Sequence, residues 1–238
     1  MPVPSDPARV VAGIIALLCA AGVGAIAYAP LEPISAVGVS GAHHLTVAQA
    51  VAATGLAGMP IFRASSADAR AALLRLPAVR DARVDLELPG SAAVTLVERE
   101  PVGRWVVGAT EWFVDADGVL FASADPSAAP ALRVRDERAP SRTAGERIDP
   151  ALVAAAIRLA KIGPGELRPD ATAPSVRIEP GPNGIVLESG AGWEIRFGTP
   201  EHIEDKLSAA LRFLRERPDR RLEYVDVRNP DRIVYSPQ

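Results

Sequence analysis

Apolar residues in this chain first run together, then alternate by two, and later recur by three and four. Between Arg9 and Glu32 there is no charged residue, and Val10–Leu31 is rich in Ala, Val, Ile and Leu. A helix of that length covers about 30 Å, the thickness of a bilayer's hydrocarbon core. Tyr28 sits near its outer end, where an interfacial aromatic is expected. The pattern predicts a retained membrane anchor that includes Val10, Leu17, Leu18, Ile26 and Leu31. A cleaved signal peptide is the rival reading, because Ala25-Ile26-Ala27 and Ala27-Tyr28-Ala29 have the small-x-small form of a cleavage site. Against it, the apolar run exceeds the roughly 7–15 residues of a signal h-region. Pro30 also follows the second site directly. Arg9 and the terminal amine precede the span, which favours a cytoplasmic N-terminus.

Alternation by two marks the next region. In Leu76–Trp105, Ala82, Val84, Leu86 and Leu88 fall on one face, and Arg83, Asp85 and Glu87 on the other. Pro89 cannot donate to a ladder and Gly90 permits positive φ, so the pair predicts a turn between two strands. Upstream, Ile34–Val39 reads as a strand closed by Ser40-Gly41. Thr46 and Gln49 form a capping box for a helix to about Thr54, ended by Gly55. Met59-Pro60-Ile61-Phe62 reads as an extended connector. A second helix starts near Ser65 or Ser66, with Asp68 in its first turn, and carries Leu73 and Leu74 before Pro77. The order strand, helix, helix, strand, strand can close a small α+β core.

After Glu100-Pro101 the elements shorten. Strands are expected at 103–107, 111–114, 119–122 and 131–134, with a tight turn at Asp115-Ala116-Asp117-Gly118. A helix is expected over Leu152–Ile162, then strands at 175–179, 185–188 and 193–197. Thr199-Pro200 reads as the start of a further helix, with Ile203, Leu207, Ala210, Leu211 and Leu214 on one stripe and Pro218 as its stop. Leu222–Val227 and Ile233–Tyr235 finish the chain as strands. The fold class is therefore α+β. It comprises a tail at 1–9, a transmembrane helix at 10–31, a βααββ domain at 34–100, and a β-rich domain at 101–238. The last contains two helices and a C-terminal edge strand.

Charge and candidate chemistry narrow the function. With 26 basic and 29 acidic residues the chain carries −3, without the basic surplus of a nucleic-acid binder. Its one cysteine, Cys19, excludes an internal disulfide or a cysteine-based zinc site. His43 and His44 read as solvated turn residues, and His202 as capping or solvated. No G-x-S-x-G elbow is present, and Gly190-Ala191-Gly192 lacks a dinucleotide fingerprint's third glycine. Asp115, Asp117 and Gly118 hint at a calcium loop, but Pro126 stands where its bidentate Glu belongs. No catalytic, cofactor or metal site is expected.

Several short motifs share an order and spacing. They are Val37-Gly38-Val39-Ser40-Gly41, Pro60-Ile61-Phe62, Leu76-Pro77-Ala78-Val79 and Val97-Glu98-Arg99-Glu100-Pro101-Val102 with Trp105. After them come Val114-Asp115-Ala116-Asp117-Gly118-Val119-Leu120-Phe121, Gly198 with Lys206-Leu207, and Tyr224-Val225-Asp226-Val227-Arg228. Over nearly its whole length the chain resembles the FtsQ/DivIB family of bacterial cell-division proteins. The resemblance implies a cytoplasmic tail, one membrane helix, a polypeptide-transport-associated (POTRA) domain and a β-domain beyond the membrane. It implies a non-enzymatic scaffold at the septum that binds FtsB and FtsL, and other septal proteins through the POTRA domain. It places docking on the last strand, here Arg228 to Tyr235, and so marks Tyr224, Arg228, Asn229, Ile233, Val234 and Tyr235. From the residues alone that segment is an ordinary edge strand near a terminus. Two other readings stay open: a POTRA component of protein transport or outer-membrane assembly, and a membrane-tethered hydrolase.

Overall fold

The computed structural model describes residues 7–28, 33–218 and 220–237. Helix α1 spans Pro7–Tyr28, with proline in the first turn, where its missing N–H costs nothing. It starts inside the expected tail and ends before Leu31, which lies outside the described residues, as do residues 1–6. Side chains of α1 are described at Ala8 and over 10–24, and Val10, Leu17 and Leu18 among them are exposed. The side chain of Ile26 is outside that set. Among the described residues no helix is long and apolar enough to cross a membrane.

The remainder divides into two compact units. The first holds β1 (Ala36–Ser40), α2 (Val47–Thr54), α3 (Ser66–Leu73), β2 (Val79–Glu87) and most of β3 (Ser91–Glu98). The sheet order is β1-β3-β2, with β1 parallel to β3 from Ala36↔Ser91 to Ser40↔Thr95. A parallel pair needs a crossover, and α2 and α3 supply it. Thr46 and Gln49 form the expected capping box, and Gly55 ends α2 with φ +65°. Ser65 caps α3 by accepting from the Asp68 N–H. Ala50, Ala69 and Leu73 from the helices meet Ala82, Val84, Val94 and Leu96 from the strands as buried residues. Two expectations change. Ile61 and Phe62 lie in a 3-10 turn (Ile61–Arg63), which buries Ile61 and exposes Phe62. Strand β2 ends at Glu87, so Leu88 leaves the alternation and is 72% exposed in the turn.

The second unit contains residues 98–237 with the short segments 43–45 and 76–78. Its strands are β4 (Pro101–Val107), β5 (Thr110–Asp115), β6 (Leu120–Phe121), β7 (Arg133–Asp136), β8 (Ser175–Ile178), β9 (Ile185–Glu188), β10 (Glu194–Gly198), β11 (Tyr224–Asp226) and β12 (Val234–Ser236). They form one nine-stranded sheet in the order β12-β11-β10-β9-β8-β7-β4-β5-β6. Helices α4 (Pro150–Ala160) and α6 (Ile203–Glu216) pack on one face, and the short α5 (Pro164–Leu167) adds a third helix where two were expected. Helix α6 begins later than Thr199-Pro200 suggests. His202 takes the left-handed conformation (φ 55°) and interrupts the helical path, and the buried Lys206 ammonium donates to the Thr199 carbonyl at 2.9 Å. Burial lowers the pKa of Lys206, which the Glu201 charge opposes.

The Glu98-Arg99 motif ties together the irregular parts of this unit. The Glu98 carboxylate accepts from three successive backbone N–H groups, those of His43, His44 and Leu45. Arg99 donates to the Pro77 carbonyl at 3.0 Å and to Asp115 at 2.6 Å, and Asp115 also accepts from the Val119 N–H. His44 is not a solvated turn residue. It is 8% exposed, lies edge-on to Phe113 and Phe121, and its Nδ1 is 3.0 Å from the Ser123 hydroxyl. Only its backbone neighbourhood, a turn, was legible in the sequence.

A second polar knot lies in the core. The buried Asp136 carboxylate accepts from Trp105 Nε1 at 3.0 Å and from the backbone and guanidinium of Arg138. Burial opposes its ionisation, but these hydrogen bonds outweigh burial and hold its pKa below the ordinary carboxylate value. A depressed folded-state pKa contributes stability in full above the unfolded value of about 3.9, and loses it as pH falls through the folded value. Asp136→Ala should therefore cost about 3 kcal/mol in urea unfolding near neutral pH. It should also make the fall in stability below pH ~4 shallower than in the wild type. Equal acid limbs in the two proteins would contradict this role.

Candidate functional site

The far edge of the large sheet is built by β10, β11 and β12. Strand β11 runs parallel to β10 and antiparallel to β12, with Val225 opposite Ile195 on one side and Tyr235 on the other. The Glu223 carbonyl and the Val227 N–H bond to β10. By strand alternation, the backbone groups of Tyr224 and Asp226 face β12, where Ser236 and Val234 are their partners. The N–H and C=O of Tyr235 are then directed outward. Among the described residues no strand pairs on that outer side.

Side chains on this edge follow the same alternation. Tyr235 turns to the core face, and its ring meets Phe213 of α6 at 5.2 Å. The Arg220 guanidinium lies over the other part of that ring, 5.0 Å from its centre, and bonds to the hydroxyl. Ile233 is half-buried against the same core. Val234 points the other way and is 49% exposed. Tyr224 and Asp226 lie on the solvent face, where Arg196 stacks over the Tyr224 ring at 3.9 Å.

The structure separates two of the expected docking residues from the strand. Arg228 and Asn229 precede the turn into β12 and are not part of it. Arg228 grips Asp226 through Nε and Nη2, at 2.9 and 2.5 Å, and its backbone N–H donates to the same carboxylate. Burial raises the Asp226 pKa, but the Arg228 bonds win and leave it below the ordinary value. The stem of Arg228 runs over Gly198 (φ +72°), where an added Cβ would sit 2.9 Å from Arg228 Cγ. Asn229 builds the turn, its side-chain oxygen accepting from the Asp231 N–H. Thus Ile233, Val234 and Tyr235 share the edge, Tyr224 faces it from β11, and Arg228 and Asn229 set the loop that delivers it. Phe213, Arg220 and Asp226 were missed. Phe213 continues the α6 stripe three residues beyond Ala210, so its apolar role was readable.

The exposed His202 is 3.6 Å from Asp205, with no cap bond from its side chain. Among the described residues no group of three or more His, Cys, Asp or Glu is placed to hold a metal ion.

A strand–helix–helix–strand–strand unit with the order of a POTRA domain, followed by a nine-stranded sheet with an open edge, defines the class of the chain. The family model for the POTRA domain, FtsQ-type, matches residues 32–99. The chain is 29% identical over 223 residues to the cell division protein FtsQ of Chloroflexus aurantiacus, covering 92% of this chain and 79% of that one. It is 28% identical over the same shares to that of Chloroflexus aggregans. It is 32% identical to that of Mycobacteroides abscessus, covering 92% of this chain and 66% of the relative. The chain belongs to the FtsQ family of cell-division proteins.

The order of the edge strand should depend on the aromatic contact beneath it. Phe213→Ala should cost about 3 kcal/mol. Backbone hydrogen exchange at residues 234–236 should accelerate more than at β10. Uniform acceleration across both strands would show that Phe213 serves the core alone.

Proposed function

We propose that this chain is a non-enzymatic, single-pass membrane scaffold of the bacterial divisome. It takes an FtsB/FtsL-like partner by strand addition and so links early and late septation proteins. The observation that carries this reading is the outward, unpaired backbone of Tyr235 at the end of the sheet. An added strand gains backbone hydrogen bonds from such an edge and specificity from alternate side chains. Val234 on one face and the Tyr235 ring on the other are those alternate contacts. The family membership supports a place in division. The uncharged run Val10–Leu31 supports an anchor, with a cytoplasmic tail at 1–9, a POTRA domain at 34–100 and a β-domain at 101–238 outside the cell membrane. In this reading the POTRA domain meets other septal proteins.

Three variants at one position test the docking edge. Tyr235→Pro removes the outward N–H without touching the bonds to β11 made by Val234 and Ser236. Tyr235→Lys keeps that N–H but replaces the ring. Both lose the ring packed on Phe213, so both should abolish capture of the FtsB/FtsL-like pair by the full chain and lower the melting of the large unit modestly and to a similar extent. Tyr235→Phe should bind as the wild type does. Undiminished capture by the proline variant would remove strand addition as the mechanism.

A further inference from the structure

The chain enters the fold of the first unit at Pro33–Ser35, and its backbone is tied there on two sides. Pro33 bridges Pro60, the Ile34 N–H donates to the Met59 carbonyl at 2.9 Å, and the Gly58 N–H donates to the Ile34 carbonyl at 3.0 Å. On the other side the Ser35 N–H donates to the Gly90 carbonyl at 3.0 Å. Strands β1 and β3 are parallel and start together at Ala36↔Ser91. The entering segment and the turn at 88–90 therefore lie at one end of the small sheet.

Each tie has an exposed apolar side chain two residues away. Phe62 follows Pro60 in the 3-10 turn and is 56% exposed, because that turn gives its buried position to Ile61. Leu88 precedes Gly90 and is more exposed still. A single exposed apolar residue is ordinary on a protein surface. Here two, from separate loops, flank the point of entry. The charge around that point is also distinctive. From Pro33 to Ala67 there is no Asp or Glu, and Arg63 is the one Lys or Arg. Among the described residues Arg63 has no carboxylate partner, whereas Arg70 pairs with Asp81 and Arg83 with Asp85.

The length of chain between anchor and entry says what covers this end. The uncharged run closes at Leu31, and Pro33 is two residues further on, at most about 7 Å along the chain. The headgroup layer on each side of a bilayer's hydrocarbon core is about 5–8 Å deep. An anchor spanning Val10–Leu31 therefore holds Pro33 at the headgroups, and with it the loops that carry Phe62 and Leu88.

We propose that this end of the first unit rests on the phospholipid surface. Phe62 and Leu88 enter the boundary between headgroups and acyl chains, and Arg63 bonds to lipid phosphate. Aromatic and leucine side chains beside a basic group are the composition that binds at that depth, and the absence of carboxylates leaves nothing to repel the phosphates. The contact rests on the membrane-anchor reading and goes beyond it. One tether leaves a domain free to swivel, whereas contact through two loops sets the tilt of the small sheet against the membrane.

The test uses the full chain with Cys19→Ser, reconstituted in vesicles of phosphatidylglycerol and phosphatidylcholine, with one new cysteine at a time carrying a nitrobenzoxadiazole label. Lipids bearing a nitroxide near the headgroup end of the acyl chain quench labels that reach the boundary. Labels at Phe62→Cys and Leu88→Cys should lose about half of their fluorescence. A label at Val97→Cys should lose none, since Val97 is also exposed but stands six residues along β3 from Ser91, roughly 20 Å away. Adding Arg63→Glu should reduce the quenching at position 62. Labels at 62 and 88 quenched no more than the one at 97 would overturn the contact. So would a response at 62 and 88 that appears only when the FtsB/FtsL-like pair is added, which would make the patch a protein site. Quenching at 62 that ignores Arg63→Glu would overturn the phosphate bond. A label at Leu17→Cys, with the nitroxide moved to the bilayer centre, reports the anchor separately. If it is quenched while 62 and 88 are silent, the anchor stands and the contact falls. If all three are silent, both fall.

Discussion

The main core of the large sheet lies on one face, with Phe113 and Phe121 buried on the other at the β5–β6 end, and this constraint organises the rest of the second unit. A single row of register partners crosses it: Trp112, Trp105, Val134, Val176, Leu187, Ile195, Val225 and Tyr235. Every member from Trp105 to Val225 is buried. Helices α4 and α6 cover that row. Because side chains alternate at period two, a one-residue slip of any strand would send its apolar set into solvent and its charges into the core. Register is thereby fixed as far as the last strand. Tyr235 is the final member of the row, and its burial against Phe213 is what holds β12 in place.

The same alternation produces the opposite face. Arg104, Arg133, Arg135, Arg177, Glu188, Glu194, Arg196 and Asp226 project there as an interleaved set of opposite charges. Arg177 has Glu179, Glu188 and Glu194 around it, and these charges keep its guanidinium protonated against the cost of burial. Exposed pairs of this kind add little stability each. Their collective effect is to cover Val186, which is buried on this face as the register neighbour of Arg177 and Arg196. A charged face is also a poor template for sheet-on-sheet association.

Much of this was legible in the sequence because it is local. Capping at Thr46 and Ser65, the Gly55 stop, the Asp115–Gly118 turn and the alternation of β2 and β3 each depend on residues within a few positions. The order of elements in the first unit follows from them. The long-range features were not legible. Nothing near His44 announces Phe113 or Phe121. The clamp of Glu98 on the 43–45 turn joins residues more than fifty positions apart. At the sheet's edge a strand was expected over Ile233–Tyr235, and β12 spans Val234–Ser236. Only the docking segment reached back to Arg228, because the resemblance carried it there and a motif gives order but not where pairing begins. The left-handed His202 was also hidden, since Thr-Pro followed by acids satisfies every local rule for a helix start.

An open edge endangers any β-protein, because it pairs with whatever extended chain is near. Here the edge is limited in three ways. It is three residues long, proline bounds its far end, and its single fully outward position carries a ring committed to the core. An arbitrary strand therefore finds too few backbone bonds to bind tightly. In the proposed docking, a partner that also fits beside Val234 gains from side chains what the backbone withholds. Selectivity thus follows from how little the edge offers by itself.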